Sequence, residues 1–345
     1  MRFYARNDPN QPFYQSRKFI TWQFGASPGI HGERLSLIGA VDGEELIGIL
    51  EYIPLCIALG EDRLEPAADF RRLCLEATSA SRAGGTELML FFMNEFNIVY
   101  GMGADNRAVL DTCGELGFSL RRMLRYSRVL DENMLPWIAT SNLLSAVDLT
   151  PIEADDTDTT GIHLVTLRAI QADFKTIAQD AGQIYPAKDR AYMDWRYVRH
   201  PQHRYDYHHV LIGDELAAII VTRIQQESES RFTVGSILDI RGSVRFAIDW
   251  AFPRVMKHFA NLDVGMVDFF IQNDGHEDKL NALGFVSDHS LDLFESHPIP
   301  FYFSPMYANP LPVTVFHTRP GYSFDLDHFE LFIESHRYDR PRRAA

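Results

Sequence analysis

A short glycine-containing segment is the first part of the sequence whose residue types indicate chemistry. The residues RAGGTE, numbers 82–87, follow a predicted strand and open a predicted amphipathic helix. Glycine lets the backbone approach a ligand closely, and the exposed N–H groups at a helix N-terminus attract anions. The alternative interpretation is a plain turn before the helix. The binding interpretation predicts a phosphate or pyrophosphate held by Arg82, Ala83, Gly84, Gly85 and Thr86.

A second segment, from Trp195 to His209, is dense in aromatic, Arg and His side chains. Flat rings stack on sugars and nucleobases, and Arg binds phosphates with two hydrogen bonds at once. We therefore predict a substrate contact here, although packing of Trp195 and Tyr197 under a sheet explains the pattern equally well. The His spacing fits no recognisable metal site, so no metal is predicted. The predicted substrate-binding residues are Trp195, Arg196, Tyr197 and His200.

The elements that must position these residues occur in the same order in both halves of the chain. Each half begins with a helix and a β-hairpin, and then alternates strands with amphipathic helices. This alternation predicts an α/β or α+β fold, with helices packed on a sheet. The first half has LIGAVDGEELIGIL, RRLCLEAT, AGGTELMLFFMNEF, NIVYGMG and NRAVLDTCGEL, and the second half has HVLIGDELAAIIV, GSILDI, SVRFAIDWAFPRVMKHFA, VGMVDFFIQ and HEDKLNAL.

Three pairs of segments match in the same order along the chain, which predicts an internal duplication. FITWQFGASP aligns with YMDWRYVRHP, the hairpin around Leu46 with that around Leu216, and NRAVLDTCGELGF with NDGHEDKLNALGF. The alternative is chance, because each match alone is common. We predict domains at residues 1–151 and 162–345, joined by an acidic, Thr-rich linker at 152–161.

The composition fits a protein of two globular domains that binds a small molecule. A length of 345 residues suits two domains, and a net charge of −14 argues against a nucleic-acid partner. Three cysteines, all in the first half, argue against a disulfide framework. The chain start has no secretory signal and no apolar stretch is long enough to cross a bilayer, so we expect a cytoplasmic protein without membrane insertion. The composition leaves the oligomeric state open.

Taken in order, these features resemble the GNAT family of acyl-CoA-dependent N-acyltransferases. The shared features are a hairpin, a strand, an Arg-x-Gly-Gly helix start, a strand ending in GMG, and Asn106 followed by Gly117-Phe118. The resemblance implies two tandem GNAT-like domains, each a mixed, mostly antiparallel sheet flanked by helices. RAGGTE is an imperfect form of the family's acyl-CoA signature, with Glu in the last position. RGSVRFAI in the second half lacks the paired glycines, so the first domain is expected to bind acyl-CoA and the second to serve as acceptor platform.

The resemblance also implies roles for four further residues. Asn106 matches an Asn that contacts the cofactor arm, and Cys113 stands where the family often has a Tyr as general acid. Glu76 and Asp239 match an acidic residue that acts as general base. The alternatives are that Cys113 fills the core and that Glu76 pairs with a neighbouring Arg, such as Arg71 or Arg72.

The functional hypothesis is therefore an acyl-CoA-dependent N-acyltransferase, with acetyl-CoA or another acyl-CoA as co-substrate. The expected acceptor is a nucleotide-linked amino sugar or a similar small amine, because WRYxxHP and the terminal YDRP resemble GNAT-like proteins of bacterial surface-polysaccharide biosynthesis. Two alternatives stay open. One is a FemABX-like aminoacyl transferase, against which the acidic balance weighs because its donor is tRNA. The other is a catalytically decayed tandem binding module.

Overall fold

A computed structural model describes most of the two predicted domains. The described residues are 2–7, 16–29, 35–59, 63–76, 79–104, 107–133, 150, 161–167, 177, 184–226, 233–272, 275–287 and 313–318. Of the predicted linker only Gly161 is described, and the YDRP stretch lies outside the described residues.

The helices and strands follow the predicted order. The first half has α1 (Arg2–Asn7), α2 (Arg17–Gly25), β1 (Leu37–Asp42), β2 (Glu45–Leu59), β3 (Leu64–Leu75), α3 (Ser79–Glu95), β4 (Ile98–Ala104), α4 (Arg107–Glu115), β5 (Ser119–Arg122) and β6 (Leu124–Val129). The second half has β7 (Ile162–Leu167), β8 (Ile184–Pro186), α5 (Arg190–Met193), a π-helical turn (Asp194–Val198), β9 (Asp206–Ile212), β10 (Glu215–Gln226), β11 (Thr233–Gly242), α6 (Val244–Phe246), a second π-helical turn (Ala247–Ala251), α7 (Phe252–Ala260), β12 (Met266–Ile271), α8 (Glu277–Ala282), β13 (Val286–Ser287) and β14 (Val313–Thr318).

Both predicted hairpins form, and each turns on a glycine. In the first, Asp42 pairs with Glu45 and Gly43 has φ +61°. In the second, Ile212 pairs with Glu215 and Gly213 has φ +59°. Two-residue hairpin turns need a left-handed backbone, which only glycine adopts without strain. The acidic, glycine-containing turns therefore fix the register of both hairpins.

The described strands form two seven-stranded sheets with a shared order. The first runs β1-β2-β3-β4-β14-β5, with β8 beside the end of β2, and the second runs β7-β9-β10-β11-β12-β6-β13. In each sheet a hairpin is followed by one antiparallel strand and then by a parallel neighbour, β4 or β12. Helices flank these sheets, so the predicted mixed α/β fold is confirmed. On the first sheet, for example, Met89 and Phe92 of α3 pack against Leu50 and Phe70.

Three strands lie in the sheet of the other half, one from the first half and two from the second. β8, which falls inside the predicted domain 162–345, pairs with the end of β2 in the first sheet. β6, which falls inside the predicted domain 1–151, lies between β12 and β13 of the second sheet. β14, which falls inside the predicted domain 162–345, lies between β4 and β5 of the first sheet. Sheet membership therefore differs from the predicted domain bounds at these three strands. The physical reason is that a strand with one buried face satisfies its backbone equally well in either sheet, so its sequence pattern does not encode the choice.

The two halves meet at a reciprocal tryptophan pair. Trp22 of α2 donates its indole N–H to the carbonyl of Trp195 at 2.9 Å, and Trp195 donates to the carbonyl of Trp22 at 2.7 Å. The rings stack with centroids 5.3 Å apart. These residues are the first match of the sequence repeat, and each lies in the helical segment that precedes its hairpin. The junction therefore has equivalent contacts from both sides.

Candidate functional site

A gap opens in each sheet where two parallel strands separate. β3 and β4 pair from Ala67 with Ile98 to Phe70 with Gly101, and both strands then continue beyond that pairing, to Leu75 and Ala104. In the second sheet, β11 and β12 likewise continue beyond their last pair, Ser236 with Asp268. Backbone groups on the separated edges do not pair with each other and need other partners. Ligands of open α/β sheets bind outside the carboxyl ends of such strands.

The predicted glycine turn is wrong in its placement, because Gly84 and Gly85 lie inside α3 rather than before it. The helix already begins at Ser79. A Cβ atom on Gly85 would lie 2.6 Å from Cδ1 of Leu75, and one on Gly84 would lie 3.4 Å from Cδ1 of Ile47. The glycines therefore let α3 pack closely on the sheet. This contact offsets the low helix propensity of glycine, which sequence periodicity alone did not weigh.

The other predicted cofactor residues are placed around this helix. Arg82 and Ala83 lie in the first turns of α3, and Thr86 is on its exposed face. Asn106 lies outside the described residues. The cofactor role of the whole segment stays a prediction.

Cys113 lies in the core of the first half. It is 1% exposed in α4 and belongs to the apolar cluster beneath α3. Burial raises the pKa of its thiol to about 11. The environment is that of a core side chain, which was the alternative to its role as general acid.

The two predicted general bases occupy different environments. Glu76 follows the end of β3 and forms an ion pair with Arg6 of α1. Asp239 lies within β11, where it is 1% exposed, pairs with Lys188 and accepts a 2.6 Å hydrogen bond from the hydroxyl of Tyr197. The family resemblance gives the two carboxylates the same role. In the structure Glu76 is partly exposed just after a strand, whereas Asp239 is buried within a strand.

The predicted substrate-binding residues lie at the junction between the halves, and their side chains are mostly inaccessible to solvent. Trp195, Arg196, Tyr197 and His200 are all buried. The guanidinium of Arg196 lies 5.7 Å from the ring of Trp22 and 5.9 Å from that of Trp195. Burial, followed by the nearby charge of Arg196, lowers the pKa of His200 to about 2, so its ring is neutral. These contacts fit the packing alternative, and the substrate role stays a prediction.

A buried polar cluster that sequence reasoning missed lies beside the first gap. Asp69 of β3 pairs with Tyr100 of β4 in the parallel register, one pair before the strands separate. The carboxylate of Asp69 is 3.0 Å from the guanidinium of Arg71, and no described residue donates a hydrogen bond to its Oδ1 atom. Burial raises the pKa of Asp69, whereas the charges of Arg71, Arg196 and Lys188 oppose that rise. The signal in the sequence was an Asp within the apolar run PAADF.

Two phenols complete this cluster. Burial and the neighbouring charge of Asp69 raise the pKa of Tyr100 well above its ordinary value. Burial raises the pKa of Tyr192, in α5, to about 12. Both phenols are therefore neutral hydrogen-bond donors at physiological pH. A buried carboxylate and two protonated phenols are thus present beside the gap, and groups of these types can take part in proton transfer.

Two further features bear on the sequence predictions. Among the described residues, no group of three His, Cys, Asp or Glu side chains is arranged to hold a metal ion. No described helix has the length and hydrophobicity needed to cross a membrane.

Solved structures with the same fold were found by structural comparison. One is a conserved protein of unknown function from Enterococcus faecalis V583, described as a "Probable N-Acyltransferase", with a TM-score of 0.51 and 10% identity over 82% of this chain and 61% of that chain. Another is a GCN5-related N-acetyltransferase from Anabaena variabilis ATCC 29413, with a TM-score of 0.51 and 11% identity over 81% of this chain and 68% of that chain.

The chain has a GNAT-like fold. It spans about three fifths of the Enterococcus faecalis protein. No family model matches the sequence, and no curated protein matches it. At this level of identity the likeness shows the GNAT-like fold alone.

Proposed function

We propose that the protein is an acyl-CoA-dependent N-acyltransferase that binds acyl-CoA in the gap between β3 and β4 and acylates a small amine. The observation that carries this proposal is the separation of two parallel strands in front of a helix, within a GNAT-like fold. The edges of β3 and β4 beyond Phe70 and Gly101 offer backbone partners for the amides of the pantetheine arm, as a sheet edge does for a peptide.

We place the cofactor in the first half, whose helix carries the glycine segment. The N-terminal turn of α3 follows the gap and carries Arg82, which suits a pyrophosphate. In the second half, the side chain of Ser243 already accepts a hydrogen bond from the N–H of Phe246 in the first helical turn. One of the donors that an anion needs is therefore occupied there.

The buried cluster at the gap supplies groups for the amine. An ammonium must lose a proton before its nitrogen attacks the thioester carbonyl. Asp69 is the carboxylate at the point where the strands separate, and its Oδ1 atom is available to accept that proton. Tyr100 and Tyr192 are neutral donors that orient the acceptor. The acyl-CoA, when bound, would supply the activated acyl group: the new C–N bond replaces the thioester C–S bond, and coenzyme A leaves as a thiol after taking up a proton.

The nature of the acceptor rests on the sequence resemblance alone. A nucleotide-linked amino sugar is the proposed class, with acetyl-CoA as donor, in surface-polysaccharide biosynthesis in the cytoplasm. A competing proposal, a decayed binding module, is favoured by the burial of Cys113, because the usual position of the general acid then lies in the core.

Coenzyme A titration with two matched variants tests the proposed site. Arg82→Ala removes a cation from the first turns of α3, and Arg245→Ala removes one from the corresponding helix start in the second half. We expect Arg82→Ala to weaken coenzyme A binding at least tenfold, equivalent to about 1.4 kcal/mol, and Arg245→Ala to leave it unchanged. The reverse result would move the cofactor to the second half.

Transfer of labelled acetyl groups to a panel of amines separates the enzyme from the binding module. Transfer that falls in Asp69→Asn, with coenzyme A binding retained, supports the proposed chemistry. Tight coenzyme A binding without transfer to any amine would favour the decayed module. Absence of coenzyme A binding would refute both.

A further inference from the structure

A groove between the two halves lies on the outer side of the tryptophan pair. It has a volume of about 500 Å³ and a mostly apolar lining. Its lining residues come from α2 in the first half and from the segment after α5 in the second half: Arg17, Lys18, Thr21, Trp22, Ala26, Trp195 and Arg199. None of these residues belongs to the gap between β3 and β4, so this groove is a different place on the molecule.

Three cations surround the groove in a protein whose net charge is −14. Arg199 pairs with Asp194 at 2.7 Å, but both side chains are largely exposed. Arg17 and Lys18 are exposed, and neither forms an ion pair with any other described residue. Both lie in the first turn of α2, which has no acidic residue. The side chain of Ser16 already accepts a hydrogen bond from the N–H of Phe19 there, so the attraction for an anion comes from the side-chain cations. The local field therefore favours an anion.

The floor of the groove is held rigid. Trp22 and Trp195 each donate a hydrogen bond to the other's backbone, and Arg196 lies against both rings from the interior. A site that is already ordered loses little conformational entropy when a ligand binds. Apolar walls with cations at the rim suit a ligand that has an apolar body and a negatively charged group.

We propose that this groove binds a ligand of the nucleoside diphosphate class, with the phosphates at Arg17, Lys18 and Arg199 and the nucleoside against the apolar lining. The ligand bridges the two halves, because its cationic contacts come from both. The ligand class agrees with the nucleotide-linked acceptor of the proposed function, but the groove lies apart from the gap between β3 and β4, so nucleotide binding here is tested without acyl transfer.

Calorimetric titration with ADP, UDP and inorganic pyrophosphate tests the proposal on the full chain. We expect at least one nucleoside diphosphate to bind, and to bind at least fivefold more tightly than pyrophosphate, because the apolar lining contributes. The double variant Arg17→Ala/Arg199→Ala should lose at least tenfold in affinity for it. Arg63→Ala, which removes an exposed cation that lies just before β3 and pairs with Glu65, should bind as the wild type does.

Further arms of the experiment distinguish this groove from the acyl-CoA gap. Arg82→Ala should retain nucleoside diphosphate binding, and circular dichroism should show that the double variant is folded, since both substituted side chains are exposed. The proposal is overturned if neither nucleotide binds at millimolar concentration, if pyrophosphate binds equally well, or if Arg82→Ala rather than the double variant loses the nucleotide.

Discussion

Replacing Gly85 by Ala tests whether this glycine serves packing or ligand approach. The new Cβ would lie 2.6 Å from Cδ1 of Leu75, about 1 Å closer than an ordinary carbon contact. Crowding of this kind costs about 1–3 kcal/mol, against a gain in helix propensity of about 1 kcal/mol. We expect a net loss of about 0–2 kcal/mol in the free energy of unfolding.

Gly114→Ala is the matched control for this change. Gly114 lies in α4, and a Cβ atom there would have no other atom within 4 Å. The same substitution should therefore stabilise the protein by about 1 kcal/mol through helix propensity alone. Urea unfolding of both variants measures the difference, expected at about 1–3 kcal/mol. Equal stabilisation by the two substitutions would refute the packing account, and reduced coenzyme A affinity with unchanged stability would restore the ligand role of Gly85.

Three other predictions follow from the junction and the exchanged strands. Trp22→Phe leaves the carbonyl of Trp195 without its buried donor and weakens the ring stack, so urea unfolding should show a loss of about 2–4 kcal/mol in the free energy of unfolding. The control Trp250→Phe, at an exposed position, should change it by no more than about 0.5 kcal/mol, and similar losses in the two variants would contradict the account. Residues 1–151 expressed alone lack β14 and should bind a hydrophobic dye and unfold without cooperativity; a cooperative transition would show that the exchange is dispensable. Burial lowers the pKa of His200 to about 2, so only the unfolded state gains a proton as pH falls below about 6.5, and stability falls with it. His200→Gln should lose about 2 kcal/mol less than the wild type between pH 7 and 5, and the loss that remains comes from groups such as His208, whose pKa is lowered to about 3.

Periodicity and turn chemistry were sufficient to predict the main elements. The hairpins at Gly43 and Gly213 followed from acidic turns between apolar runs, because the left-handed backbone there has few sequence solutions. The helix containing Met89 and Phe92 followed from its apolar spacing.

The strand exchange and the buried cluster could not be predicted in this way. LRYSRV of β6 and VTVFHT of β14 have patterns that suit either sheet, so their partners depend on the path of the whole chain. Asp69 has its neighbours in separate elements of both halves, and an isolated carboxylate in an apolar strand does not reveal which charges will face it. The composition of the segment around Trp195 suits both buried packing and ligand binding, so it does not distinguish between them.

Amide hydrogen exchange with and without acetyl-CoA tests the central claim, that acyl-CoA binds between β3 and β4. The account predicts that bound acetyl-CoA slows exchange in the separated part of β4, residues 102–104, and in the first turn of α3 after Ser79, while the corresponding parts of β11 and β12 stay unchanged. Slowed exchange in the second sheet alone, or no change at saturating acetyl-CoA, would contradict it.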